Sequence, residues 1–245
     1  MSKKVISLFS GAGGFDIGIE KAGFETAVLV EMDPSCCDTL RFNFPNKPVI
    51  EGDICEISTA QMLKTAGLKR LEAALVIGGP PCQSFSLAGK RLGMDDERGM
   101  LVLEFIRVVR EALPVGFIME NVKGMTNWDG GRAMDAIMNE LKDPIVFKGR
   151  KYSYDVSIKV LNAADFGAPQ FRERVILVGN RVGKRFEFPK PTHGLKNIDL
   201  INGNSLKPFR SVDDAIGGLP KADEPSETAK RISKTIKKRI VNHGY

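Results

Sequence analysis

The stretch "GGPPCQSFS", residues 78–86, sets one thiol, Cys82, after two prolines and before a polar Gln-Ser-Phe-Ser run, at the end of the apolar "AALVIGG". A structural cysteine is usually a small hydrophobe among apolar neighbours. Here the prolines restrict the backbone and the surroundings are polar, which suits a thiol held for nucleophilic attack. Downstream, "MENVKG" ends an apolar run with Glu120 and Asn121. A carboxyl group shielded from water there stays protonated and donates a hydrogen bond; its bland role is helix capping. Later still, "QFRERV" alternates Gln170, Arg172 and Arg174, which share one face of an extended chain. Guanidinium groups hold a carbonyl oxygen or a phosphate bidentately but cannot act as acid or base near neutral pH. Arginines on an edge strand otherwise serve solubility.

A second group of residues suits a nucleoside-bearing ligand. "FSGAGGFDIG" follows the first apolar run, and Gly11, Gly13 and Gly14 allow a tight turn and close approach of backbone to ligand. Glu31, twenty residues after Gly11, ends the next strand pattern, where an acid accepts both ribose hydroxyls. Asp53 ends the third, within reach of an adenine amine, with Ile54 to pack on the ring. Acids at strand ends often only cap helices, but three such features at consecutive strand ends point to an adenosine-containing cofactor. The turn does not itself choose between NAD and S-adenosylmethionine, although the lack of a full GxGxxG disfavours a pyrophosphate.

The elements that must position these groups alternate. "KVISLF", "TAVLVEM", "PVIEGDI", "AALVIGG" and "VGFIMEN" read as strands, separated by helical patterns such as "GFDIGIEKAGF", "PSCCDTLRFNF", "TAQMLKTAG" and "LVLEFIRVVREAL". This order predicts an α/β fold built from right-handed βαβ units, a parallel sheet with helices on both faces. "YDVSIKVL" and "RVILVGNR" add two strands, expected as an antiparallel pair at one edge, so the sheet closes by about residue 182. From "PKPTHG" onward strand patterns stop, "SVDDAIGGLP" offers only a short helical turn, and "TAKRISKTIKKRI" carries six Lys or Arg without an acid. The expected division is therefore residues 1–182 as a catalytic and cofactor-binding domain and 183–245 as linker and basic docking segment.

Composition narrows the setting. A chain of 245 residues with 42% apolar content supports a substantial core. No run of eighteen apolar residues occurs and no signal-peptide core is present, so the expected location is cytoplasmic, with no membrane partner. The four cysteines form no CxxC pair and the two histidines lie far down the chain, which favours neither zinc nor a disulfide framework. A net charge of +6 suits a polyanionic partner.

"LFSGAGG", "EMD", "GDI", "GGPPCQSFS", "ENV" and "QFRERV", in this order, resemble the cytosine-C5 DNA methyltransferases over roughly residues 4–182. The resemblance implies a Rossmann-like S-adenosylmethionine-dependent methyltransferase sheet acting on double-stranded DNA without a metal. It makes Cys82 the nucleophile at carbon 6 of a flipped cytosine and Glu120 the group acting on ring nitrogen 3. Arg172 would contact the base carbonyl, with Arg174 beside it, and Asn121 would position Glu120 or the cysteine loop. Phe9, Gly11, Gly13, Gly14, Glu31, Met32, Asp53, Ile54, Pro80 and Leu101 would line the cofactor site. Gln83, Ser86, Arg91, Arg98 and Gln170 would contact DNA, and "SLAGKRLGMDDERG" would close over it.

Complete single-chain members continue with a target-recognition region, a further helix and a Gly-Asn-Ser-Val segment, and none follows Tyr245; "NGNSL" at 202–206 falls too early to count. Two expectations follow: the larger subunit of a two-chain restriction-modification enzyme, whose partner supplies target recognition and the final helix, or a truncated product. Three rivals stand beside them. They are a catalytically silent DNA-binding relative, an enzyme acting on transfer RNA, and an NAD-dependent oxidoreductase.

Overall fold

The computed structural model describes residues 3–81, 100–195, 206–219 and 230. Its first half alternates β1 (Lys4–Leu8), α1 (Gly14–Lys21), β2 (Glu25–Glu31), α2 (Pro34–Asn43), β3 (Val49–Glu51), α3 (Thr59–Thr65), β4 (Leu75–Gly78), α4 (Met100–Ala112) and β5 (Gly116–Val122). A 3-10 segment (Lys123–Gly131) leads into α5 (Arg132–Lys142) and a small hairpin of β6 (Ile145–Phe147) and β7 (Arg150–Tyr152). Then come β8 (Asp155–Asn162) and β9 (Glu173–Asn180). The order across the main sheet is β3-β2-β1-β4-β5-β9-β8. The first five strands are parallel, and β9 runs antiparallel to both β5 and β8, as the sequence predicts.

The strand sequences lack in/out alternation because both faces are covered. Side chains of β1 diverge by period two. Ile6 and Leu8 join the larger core under α3, α4 and α5, with Met62, Phe105, Val109, Ile137 and Leu141, while Val5 meets Ile19 of α1 on the other face. Leu40 and Phe44, at the end of α2, cover Leu29. Helix starts follow local chemistry: Asp33 accepts from Cys36 N with Pro34 at the first position of α2, and Ser58 accepts from Gln61 N ahead of α3. The helix α5 and the β6–β7 hairpin are not marked in the sequence reading.

The chain falls into two compact units, Met1–Asn162 with Glu173–Lys190, and Ala163–Arg172 with Pro191–Tyr245. The first therefore extends past 182, and the ten residues before β9 belong to the second. In the second unit, β10 (His193–Gly194) and β11 (Lys207–Pro208) form a two-residue parallel pair absent from the sequence reading. The expected turn is α6 (Val212–Ile216), started by a capping box between Ser211 and Asp214. Among the described residues no helix is long and apolar enough to cross a membrane.

Asp16, in the first turn of α1, has no exposed surface and accepts from Ser7 Oγ at 3.1 Å and Thr26 Oγ1 at 3.2 Å. Burial raises its carboxyl above the ordinary 3.8, against the lowering effect of those hydroxyl bonds. The folded state then keeps this proton to higher pH than the unfolded chain, so the group subtracts stability as pH rises from 3.8 through the raised value. Asp16→Asn, whose amide can accept one hydroxyl and donate to the other, removes that loss. Urea midpoints compared below and above this window should fall with pH more steeply in the wild type. Parallel pH profiles would show that Asp16 does not titrate in this way.

Candidate active site

At the carboxyl ends of β1 to β4 lies a cavity of about 230 Å³ lined by Phe9, Val30, Glu31, Met32, Gly52, Asp53, Ile54, Gly79, Pro81 and Leu101. Six of the residues predicted for the cofactor are in this lining: Phe9, Glu31, Met32, Asp53, Ile54 and Leu101. Its acids are oriented before any ligand arrives. Glu31 Oε2 accepts from Gly11 N at 2.7 Å, and Oε1 accepts from Met32 N and Asp33 N, both at 2.9 Å. Asp53 Oδ1 accepts from Cys55 N at 2.9 Å. Two oriented carboxylates among Phe9, Ile54 and Leu101 offer acceptors for hydroxyls or an amine and apolar walls for a flat ring, the donor set a nucleoside needs.

Gly11, Gly13 and Gly14 do not line the cavity. Gly11 serves it through the Glu31 bond. Gly13 caps α1 in a left-handed conformation, φ +84°, and a Cβ there would lie 2.6 Å from the Phe44 ring, so the position requires glycine twice over. Pro80 is also outside the lining and Pro81 takes its place. Among lining residues that sequence reasoning missed, Val30, Gly52 and Gly79 adjoin named strand ends; reading each strand end as a three-residue group would have found them.

The chemistry-bearing end of the sheet centres on β5. Glu120 Oε1 meets Arg174 Nε at 2.7 Å, with the carboxylate side chain 31% exposed. The sequence reading expects a carboxyl shielded from water, and the structure shows it ion-paired and partly exposed. The β5–β9 register explains which arginine arrives. Arg174 lies opposite Val122, on the same face as Glu120 and diagonal to it, within reach of a long side chain. The ladder starts at Glu173, so Arg172 and Gln170 are not on the strand at all. Gln170 and Arg172 belong to the second unit, where Arg172 O accepts from Ala163 N at 3.0 Å. Beside Arg174, Glu173 pairs with Lys123 at 3.0 Å.

Asn121 is buried, and its amide bridges outward. Nδ2 donates to Pro80 O at 3.1 Å and Oδ1 accepts from Val122 N at 2.8 Å. It thus fastens the chain leaving β4 to β5, two residues before Cys82. Cys82, Gln83, Ser86, Arg91 and Arg98 lie outside the described residues. Of the described thiols, burial raises Cys36, Cys37 and Cys55 alike, Cys37 to about 11, so none is a ready nucleophile at neutral pH.

The strand order, with an antiparallel strand inserted beside β5 and a cavity with acidic and apolar walls at the parallel strand ends, defines a Rossmann-like methyltransferase of the S-adenosylmethionine-dependent class. A family model described as C-5 cytosine-specific DNA methylase matches residues 3–241, and the chain belongs to that family of DNA (cytosine-5-)-methyltransferases. Among its relatives, type II methyltransferase M.AquIA of Picosynechococcus sp. is 66% identical over 249 residues, covering all of both chains. Type II methyltransferase M1.HphI of Haemophilus parahaemolyticus is 40% identical over 223 residues, 90% of this chain but 54% of the relative. A crystal structure from E. coli, described as a candidate prophage-encoded DNA modification methyltransferase, superposes with a TM-score of 0.68 at 28% identity, covering 89% of this chain and 55% of that one. Family membership also resolves the open cofactor choice, since the methyl donor of these enzymes is S-adenosylmethionine rather than NAD.

Asn121→Ala leaves the Pro80 carbonyl and the Val122 amide without their partner. A displacement on the order of 1 Å of a reacting group costs about 100-fold in rate, so kcat should fall by roughly that factor while S-adenosylmethionine affinity holds. Single-turnover methyl transfer alongside equilibrium cofactor binding checks this, and an unchanged kcat would refute the fastening role.

Proposed function

We propose that this chain transfers a methyl group from S-adenosylmethionine to carbon 5 of cytosine in duplex DNA, as part of a type II restriction-modification system. One observation carries the reading. Gly79 lines the cofactor cavity, and a Cβ built on it would sit 3.0 Å from Glu120 Oε2, so a single glycine separates the cavity from the carboxylate. Three residues further on is Cys82.

Carbon 5 of cytosine is a weak nucleophile and must be activated. Cys82, as thiolate, adds to carbon 6 of a base flipped out of the duplex, while Glu120 delivers a proton to ring nitrogen 3, so the electron pair collects at carbon 5. Glu120 begins paired with Arg174; a proton taken from solvent weakens the pair and frees the guanidinium toward the base carbonyl oxygen, and when the thiol later leaves, ring nitrogen 3 returns its proton to solvent through Glu120. This gives Arg174 the part that the resemblance assigns to Arg172. The bound cofactor supplies an electrophilic sulfonium methyl, and no metal is required. A base then removes the carbon 5 proton, the carbon 6–sulfur bond breaks, and Cys82 leaves as thiolate. Glu31 and Asp53 hold the nucleoside, with Phe9, Ile54 and Leu101 against its ring.

The reading extends to a second chain. The match to M1.HphI covers 54% and that to M.SacI of Streptomyces achromogenes 60% of the relative, whereas the match to M.AquIA covers all of it. A separate polypeptide supplying target recognition accounts for this pattern, with residues 183–245 as its docking segment and Gln83, Ser86, Arg91, Arg98 and Gln170 toward the DNA.

The test uses duplex DNA containing 5-fluorocytosine, whose fluorine blocks the final elimination. Wild type and Cys82→Ala are incubated with S-adenosylmethionine, with and without a cell extract from the source. A denaturing gel should show an adduct that requires Cys82 and the extract. An adduct without extract would remove the need for a second chain; an adduct only with transfer RNA would redirect the substrate; no adduct at all would overturn the reaction.

A further inference from the structure

Arg107 of α4 takes no part in the chemistry above, yet its guanidinium ties α4 to a neighbouring loop and to the start of α3. Nη2 donates to the carbonyls of Ile54 and Ile57, each at 3.1 Å, and Nη1 donates to Thr59 Oγ1 at 3.1 Å. Two acids orient the group: Glu104 Oε2 accepts from Nε at 2.7 Å, and Glu111 Oε2 accepts from Nη1 at 3.2 Å. Thr59 Oγ1 in turn donates to Glu111 Oε2, closing a ring of bonds between α3 and α4. The loop so held runs from the end of β3 to the start of α3 and carries Asp53 and Ile54, two walls of the cavity. The first turn of α4 carries a third, Leu101. Apart from the short turns it makes itself, the loop has no ladder to fix its distance from α4.

We propose that Arg107 is a positioning residue for the methyl donor: by tying the Asp53–Ile54 loop to α4 it sets the width of the cavity that receives the nucleoside. The inference depends on the cofactor reading of that cavity. A planar fork with several donors is needed, because two carbonyls, a hydroxyl and two carboxylates are satisfied at once; an ammonium point charge reaches fewer of them.

Binding of S-adenosylhomocysteine to the isolated chain, followed by calorimetry, separates positioning from general stability. Arg107→Gln should weaken binding roughly tenfold or more, the scale expected for losing hydrogen bonds made by a charged group, with Arg107→Lys in between. The control is Arg110→Ala, which removes comparable bonds to Glu140 O, Asp143 O and Asp143 Oδ2 away from the cavity. It should lower Tm while leaving affinity at the wild-type level. Wild-type affinity in Arg107→Gln, or equal weakening in Arg107→Gln and Arg110→Ala, would overturn the proposal. Should Arg107→Gln not fold, Arg107→Lys decides, since it retains the charge and loses the fork. A wild type that binds no S-adenosylhomocysteine would instead overturn the reading of the cavity, and this inference with it.

Discussion

Parallel pairing is the constraint on which everything else depends. Five adjacent strands run the same way, so all of them deliver their last residues to one edge. Strand order reverses at β1, with β2 and β3 on one side and β4 and β5 on the other, which opens a crevice where the crossovers part. Glu31, Asp53, Gly79 and Glu120 come from four different strand ends, yet they become neighbours without any long loop having to find its way. The cost is that strands buried on both faces leave little room for polar groups within the sheet. One buried exception, Asp16 with Ser7 and Thr26, sits where α1 crosses back over it.

Antiparallel β9 adds a second kind of control. A parallel neighbour at that position would carry its own last residue to the edge, whereas β9 brings its first residues there, which is why an arginine at the start of a strand meets an acid near the end of another. Register then decides the contact. Arg174 shares a face with Glu120 one diagonal away, and a one-residue slip would turn its side chain to the opposite face. The tight spacing of β9 against β5 is guarded by glycine: a Cβ at Gly179 would enter the Phe117 ring, and one at Gly116 would lie 2.8 Å from Gly179 O.

Most of the fold was legible because its signals are local. Apolar runs, helix caps and Gly or Pro breaks mark β1 to β5, and the acids ending β2 and the turn after β3 were readable as ligand groups from their place in that order. What was not legible depends on tertiary facts. Period two correctly put Arg172 and Arg174 on one face of an extended chain, but not where the extended chain begins, and β9 starts at Glu173. The bond from the Gly11 amide to Glu31 was not legible either, because it joins the first turn to the end of a strand twenty residues on. Arg107 was invisible for a similar reason. Its acids at i−3 and i+4 look like ordinary surface pairs of an exposed helix, and only the fold brings the Ile54 and Ile57 carbonyls within reach.

The guanidinium groups of Arg107 and Arg174 illustrate how one side chain type serves opposite ends. Arg107 faces main-chain carbonyls, which have no other state, and its acids hold it there, so every bond it makes resists displacement. Arg174 faces a partly exposed carboxylate and, among the described residues, bonds Glu120 and the carbonyl of Glu173. A partly exposed pair of that kind contributes little stability, because water and salt compete with it, and the same weakness makes it easy to exchange. For the proton-carrying role proposed for Glu120, a strong buried pair would be an obstacle: breaking it would strand a charge at a cost of several kcal/mol. Rigid bonding around the cavity and loose bonding at Glu120 are thus complementary under the proposed mechanism, in which the cofactor is held in one place while the acid beside it changes state.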